Sequence, residues 1–186
     1  TGKDLDDALT KAYKVIGKDG IQFEGMHYRR DIGSSNQPTT RIEILNKGKD
    51  TRADVQKKKL EEINKKITAI TIADVYTIDK PFSEKTVHQI AGTLSNPVTQ
   101  KAIIRHHISK GRADLIKMKF NWAIEIGFLP GVTDNIGTTA TESIEDLTKE
   151  AFADNEHVYT SKLFFIEGNL TKQAALKIAN SLYNPL

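Results

Sequence analysis

Val75-Tyr76-Thr77-Ile78-Asp79 and Leu163-Phe164-Phe165-Ile166-Glu167 are one β-branched and aromatic segment written twice, 88 positions apart. The same offset carries Ile90-Ala91 onto Ile178-Ala179, Leu94 onto Leu182, and Asn96-Pro97 onto Asn184-Pro185, without a gap. Upstream, Ile42-Glu43-Ile44 recurs as Ile124-Glu125-Ile126 at an offset of 82, so the second copy carries about six extra residues between its anchors. A repeat at fixed spacing decides architecture before any single element does.

Working outward from these anchors, each copy reads strand–helix–strand–helix. The first copy, 41–110, opens with a strand at Arg41–Leu45. A charged helix follows at about 51–65, with Val55, Leu60 and Ile63 expected inward and Lys57-Lys58-Lys59 on a solvated outer face. Ile70–Ile78 has strand composition. Ser83 is placed to cap a helix over 84–95, which Asn96-Pro97 stops, and Lys101–Ile108 can add a strand. The second copy, 111–186, has the clearest strand signal: Ile116, Met118, Phe120, Trp122, Ile124, Ile126 and Phe128 alternate strictly. Alternate side chains share a strand face, so Phe120 and Trp122 are expected buried on one side. Pro130-Gly131 makes a turn, Thr133 or Asp134 caps a helix with Ile136, Ala140, Ile144 and Leu147 inward, Val158–Ile166 is strand, and Thr171 caps the last helix.

The fold class expected is α+β: two tandem ferredoxin-like β-α-β-α repeats about a pseudo-twofold axis, sheet on one side and helices on the other. Each copy alone is near the size at which a single core is marginal, so the two should share a sheet. In front lie a segment at 1–33, with an apolar helix stripe through Leu5, Ala8, Leu9, Ala12, Tyr13 and Ile16, and a linker at 34–40 rich in Ser, Asn, Gln, Pro and Thr. The chain starts at Thr1 and stops just after an Asn-Pro pair, and both ends look cut from something longer.

Composition excludes some functions. A net charge of +3 is too small to imply nucleic acid, and the basic stretch Arg105, Lys110, Arg112, Lys117, Lys119 lacks exposed aromatics beside it. No apolar run approaches the ~20 residues that span a bilayer, so no membrane partner is expected. The absence of cysteine rules out disulfides and thiolate metal sites, and fits a cytoplasmic protein.

The residues also carry a resemblance. Ile124-Glu125-Ile126-Gly127-Phe128-Leu129-Pro130-Gly131-Val132-Thr133-Asp134-Asn135, with Thr139-Ala140, Ile144-Glu145-Asp146, Val158-Tyr159-Thr160-Ser161 and the closing Ala179-Asn180-Ser181-Leu182-Tyr183-Asn184-Pro185-Leu186, resembles the phosphoribosylformylglycinamidine synthase family. The likeness is to the small S subunit, or to the N-terminal domain of the fused forms, which looks like two S subunits in tandem. It covers about 120–186 well and 41–110 mainly through the repeat. At the front, Ile21-Gln22-Phe23-Glu24-Gly25-Met26-His27-Tyr28-Arg29-Arg30-Asp31-Ile32-Gly33 resembles the last residues of phosphoribosylamine–glycine ligase, an ATP-grasp enzyme of the same purine pathway. The resemblance implies a ligase that uses ATP, magnesium and glutamine-derived ammonia in its other parts. This region would bridge the synthetase core and the glutaminase, its partners, with no cofactor of its own.

The residues suggest no catalytic group. His106-His107 would point to opposite faces of a strand and so make a poor metal pair, and no metal site is expected. His88, beside Val87 and Ile90, reads as a packing residue. The helix start after Pro130 could hold an anion through Gly131, Thr133 and Asn135, although a tight turn with a capped helix explains the same residues. The isolated chain is expected to be inactive. A reading of another class is a tandem ACT-like module that binds a small regulator where its two halves meet.

Overall fold

The computed structural model describes residues 11, 14, 15, 40–106, 119–129, 132–154 and 156–183. Most of the front segment, the linker up to Thr39, the 107–118 connection and Gly131 therefore lie outside the described residues.

Five strands form one antiparallel sheet: β1 (Thr40–Asn46), β2 (Ile67–Ile78), β3 (Gln100–His106), β4 (Trp122–Gly127) and β5 (Val158–Gly168). The spatial order is β3-β1-β2-β5-β4. Four helices pack on it: α1 (Thr51–Ile63), α2 (Glu84–Leu94), α3 (Asn135–Thr148) and α4 (Lys172–Leu182). The chain is thus α+β. None of the described helices is long and apolar enough to cross a membrane.

The central pairing, β2 against β5, sets Asp74 opposite Lys162, and these two stand 88 positions apart, which is the repeat offset. The other rungs from Ile70 to Ile78 pair off under that offset, while those at Ile67 and Ala69, beside the bulge, do not. Tyr76 opposite Thr160 answers Ile72 opposite Phe164, and Ile78 opposite Val158 answers Ile70 opposite Ile166.

Two apolar cores lie on the helix face, and each draws on both halves of the chain. One gathers Ala53 and Leu60 of α1 with Ile178 of α4 over Ile70, Ile72, Phe164 and Ile166. The other gathers Ile90 and Ala91 of α2 with Ala140 and Ile144 of α3 over Ile42, Ile44, Ile78 and Val158. Neither half encloses a core by itself, which matches the small size of each. On the other face Leu45, Ala73, Val75, Ile103, Leu163 and Phe165 form a third buried cluster.

Several local expectations hold. Ser83 caps α2 through the Thr86 N–H, and Thr171 caps α4 through the Ala174 N–H. Asp134, not Thr133, caps α3. Others need correction. Val55, Ile63, Ile136 and Leu147 are exposed, whereas the buried faces are Ala53 and Leu60 on α1 and Gly137, Ala140 and Ile144 on α3. Helices laid side by side on a sheet bury a narrow stripe, and small residues define it where backbones come close. Phe120 precedes β4 and does not share a face with Trp122. Its ring meets Phe165 at 4.9 Å on the helix-free side, while Trp122 packs into the helix-side core. Both rings are half-buried, not buried. The described part of the alternating stretch is strand only from Trp122; Asn121 bonds the Ile166 carbonyl, opposite Trp122, through its backbone N–H and takes the Gly168 N–H on its side chain, so two residues of this stretch meet one of β5. His88 is exposed on α2, with Val87 and Ile90 turned inward.

Candidate functional site

On the helix face, where β2 meets β5, a cleft of about 450 Å³ opens between the helix pairs. Its floor is Asp74, Tyr76, Lys162 and Phe164. Its walls include Arg52 of α1, Ile136 of α3, Leu182 of α4, and Ile126 and Phe128 from the end of β4. Each half of the chain supplies part of both floor and wall.

Charge within the cleft is organised from the α1 side. Asp50 ends the β1–α1 loop in extended conformation and accepts from the Arg52 backbone N–H, Nε and Nη2 at 3.0, 3.2 and 3.0 Å. Arg52 Nη1 then reaches Asp74 Oδ2 at 2.8 Å. Partial burial disfavours the charged Asp50, but the Arg52 hydrogen bonds more than offset it and hold the carboxyl below its usual pKa. Arg52 is pushed up in turn, chiefly by Asp50 and also by Asp74. Tyr76 is half-buried; burial, with Asp74 and Asp134 nearby, raises its phenol, which stays a neutral hydrogen-bond donor. Lys162 is exposed and forms no ion pair in the described structure. The cleft thus offers a phenol and a free ammonium beside apolar walls, with a carboxylate already tied to a guanidinium.

On the α3 side the helix start is a cross-element staple. Asp134 accepts from the Gly137 N–H at 2.8 Å and, from β5, the Thr160 N–H at 2.6 Å and hydroxyl at 2.8 Å. Gly137 sits so close to β5 that a Cβ there would stand 2.4 Å from the Val158 carbonyl oxygen. Of the residues read as an anion site, Thr133 and Asn135 are exposed at this helix start and Gly131 lies outside the described residues. The Asp134 carboxylate already occupies the Gly137 N–H, where an anion would bind.

The opposite sheet face holds a network that sequence reasoning missed. Arg41 donates from Nε to Glu43 and from both Nη atoms to Glu125, each at 2.9 Å. Glu43 and Glu125 are the central residues of the two Ile-Glu-Ile anchors, so one arginine joins the two repeat-related glutamates. Arg105 Nε also donates to Glu43 at 3.1 Å, with Glu43 0 % and Arg105 5 % exposed. Burial works against the Arg41 charge, but its bonds to Glu125 and Glu43 outweigh that and raise its pKa. Part of the signal was present: a glutamate between isoleucines, as at Glu43, is costly to bury unless it is paired, whereas its counterpart Glu125 is exposed. Among the described residues no three His, Asp or Glu side chains come together as a metal site.

The chain matches no model of a known protein family, and no curated protein is similar enough to count as a relative.

Proposed function

We propose that this chain is the S-subunit-like region of a phosphoribosylformylglycinamidine synthase, built as two tandem ferredoxin-like repeats about a pseudo-twofold axis. The observation that carries the reading is the β2–β5 register. With Asp74 opposite its own repeat equivalent Lys162, the rungs from Ile70 to Ile78 pair off at the offset of 88, as in the self-complementary interface of a homodimer. Two S subunits joined in one chain would pair in this way. The cores support it too: α1 packs with α4 and α2 with α3, an exchange that follows from such an axis.

On this reading the chain's contribution is positional. It holds the synthetase core and the glutaminase in register for ammonia transfer, in the cytoplasm, while ATP and magnesium bind elsewhere in the enzyme. The purified chain hydrolyses neither ATP nor glutamine. Pulldown of the cognate synthetase core and glutaminase by this chain, with and without nucleotide, tests the scaffold. Retention of both supports it, and failure of either to bind under every nucleotide condition overturns it.

One observation favours the second reading, an ACT-like small-molecule module: the cleft lies on the seam between halves, with apolar walls and the free Lys162 ammonium. Calorimetry against amino acids and purine nucleotides separates the two. Micromolar binding of an amino acid that is lost in Lys162→Met favours the module.

A further inference from the structure

Among the described residues, no strand pairs with the outer edge of β4. We infer that this edge accepts one more antiparallel strand, a short extended segment of the β3 type that follows the α4 helix as β3 follows α2. The inference rests on the repeat reading and is independent of the synthase assignment.

Three observations carry it. First, the strand equivalent to β4 is β1, and β1 has β3 on its outer edge, with Ile104 opposite Ile42 and Ala102 opposite Ile44. So covered, Ile42 and Ile44 are 0 % and 2 % exposed, whereas their equivalents Ile124 and Ile126 are only half-buried. A neighbouring strand would account for that difference.

Second, the two helices release the chain alike. Ser95, after α2, has φ −124° and ψ 150°, and Tyr183, after α4, has φ −113° and ψ 151°. In the first half the following Asn96-Pro97 makes the turn into β3. The Asn96 side chain accepts from the Val98 N–H, its carbonyl accepts from the Gln100 N–H, and Lys47 N–H of the β1 end bonds the Thr99 carbonyl. The same Asn-Pro sequence follows Tyr183.

Third, the two edges are protected differently. β3 bears the exposed Lys101, a charge that discourages further pairing. β4 bears only Glu125, and that side chain is turned to Arg41 and Ser161 on the helix-free face. An edge with Trp122, Ile124 and Ile126 on its other face suits an apolar, β-branched partner strand.

The test appends the sequence of Thr99–His106 after Leu186 of the full chain. The control carries the same extension with proline in place of the copies of Lys101 and Ile103, the positions whose N–H groups face β1 in the first half, which removes two N–H donors from the pairing. Hydrogen exchange is followed at the β4 amides. The expected result is exchange at least about tenfold slower, at amides turned away from β5, than in the proline control. Equal exchange in the two extended chains overturns the inference. So does a sedimenting dimer of the unextended chain whose β4 amides are already protected, since β4 would then be pairing with a second copy. Failure of the synthetase pulldown leaves this result untouched, and equal exchange leaves the pulldown untouched.

Discussion

The β1–α1 and β4–α3 junctions begin alike and end differently. Each leaves a strand and caps its helix with an aspartate, Asp50 or Asp134. Asp50 finds its partner on its own helix, in Arg52, and that arginine carries the charge onward to Asp74. Asp134 instead reaches across to Thr160 of β5, where the first half has Ile72, which has no side-chain donor. The staple draws α3 onto β5 until only glycine fits at 137, whereas α1 keeps a Cβ at Ala53. One cap position thus serves as a local lock in one half and as a tertiary clamp in the other, and residues distant in sequence decide which.

The largest expected effect follows from that clamp. Gly137→Ala places a Cβ against a backbone carbonyl that cannot swing aside, so α3 must lift from β5. Denaturant unfolding should show a loss of about 3 kcal/mol, at the upper end for overpacking. Ala53→Gly should cost roughly 1–2 kcal/mol, from helix propensity and a lost buried methyl. If Gly137→Ala is neutral, α3 is not clamped and the contrast between junctions fails.

Removing the caps sharpens the same comparison. Asp134→Ala loses a helix cap and the bonds to Thr160, for about 2 kcal/mol, while Asp50→Ala loses a cap and an exposed arginine, for about 1 kcal/mol. Thr160→Val in the Asp134→Ala background should then cost little, because its partner is already gone. Equal losses for the two aspartates would show that the cross-element bonds add nothing.

What was legible in the sequence follows the range of the interaction. The helix caps at Ser83 and Thr171, the strands, and the shared sheet came from local chemistry and from the repeat. On α1 and α3 the expected Leu60, Ala140 and Ile144 do face inward, but Val55, Ile63, Ile136 and Leu147 do not, because close backbone approach turns Ala53 and Gly137 to the sheet instead. Phe120 falls on the other face because Asn121 and Trp122 both meet Ile166, which shifts the alternation by one residue there. The Arg52–Asp74 and Arg41–Glu125 pairs join residues 22 and 84 positions apart, and although a glutamate between isoleucines calls for a partner, no local pattern names which arginine it is. The seam cleft was equally hidden, since its lining exists only once β2 and β5 lie side by side.

A smaller effect concerns pH. The folded pKa of Asp50 is depressed, so its contribution is present above the ordinary aspartate value near 4 and is lost as pH falls through the lowered folded value. Glu156, held low by the Ala153 N–H and then by Lys80, has the same sign. Arg52→Met should leave less stability to lose between about pH 5 and pH 2, by under about 1 kcal/mol because the pair is partly exposed. Urea midpoints of wild type and variant across that window check this, and parallel curves would mean Arg52 does not depress Asp50.

The smallest expected effect lies on the seam itself, at the one rung that the repeat offset maps onto itself. Asp74 and Lys162 face each other there, yet Asp74 gives its carboxylate to Arg52 and Lys162 stays exposed without an ion pair in the described structure. Lys162→Met should therefore change stability by less than about 0.5 kcal/mol, while Asp74→Asn, which weakens the Arg52 bond, should cost somewhat more. A double-mutant cycle between positions 74 and 162, read by urea unfolding, should give a coupling near zero. Coupling above about 1 kcal/mol would mean that the two halves are joined by a charge pair across their seam. The contrast would then shift from two independent junctions to one coupled centre.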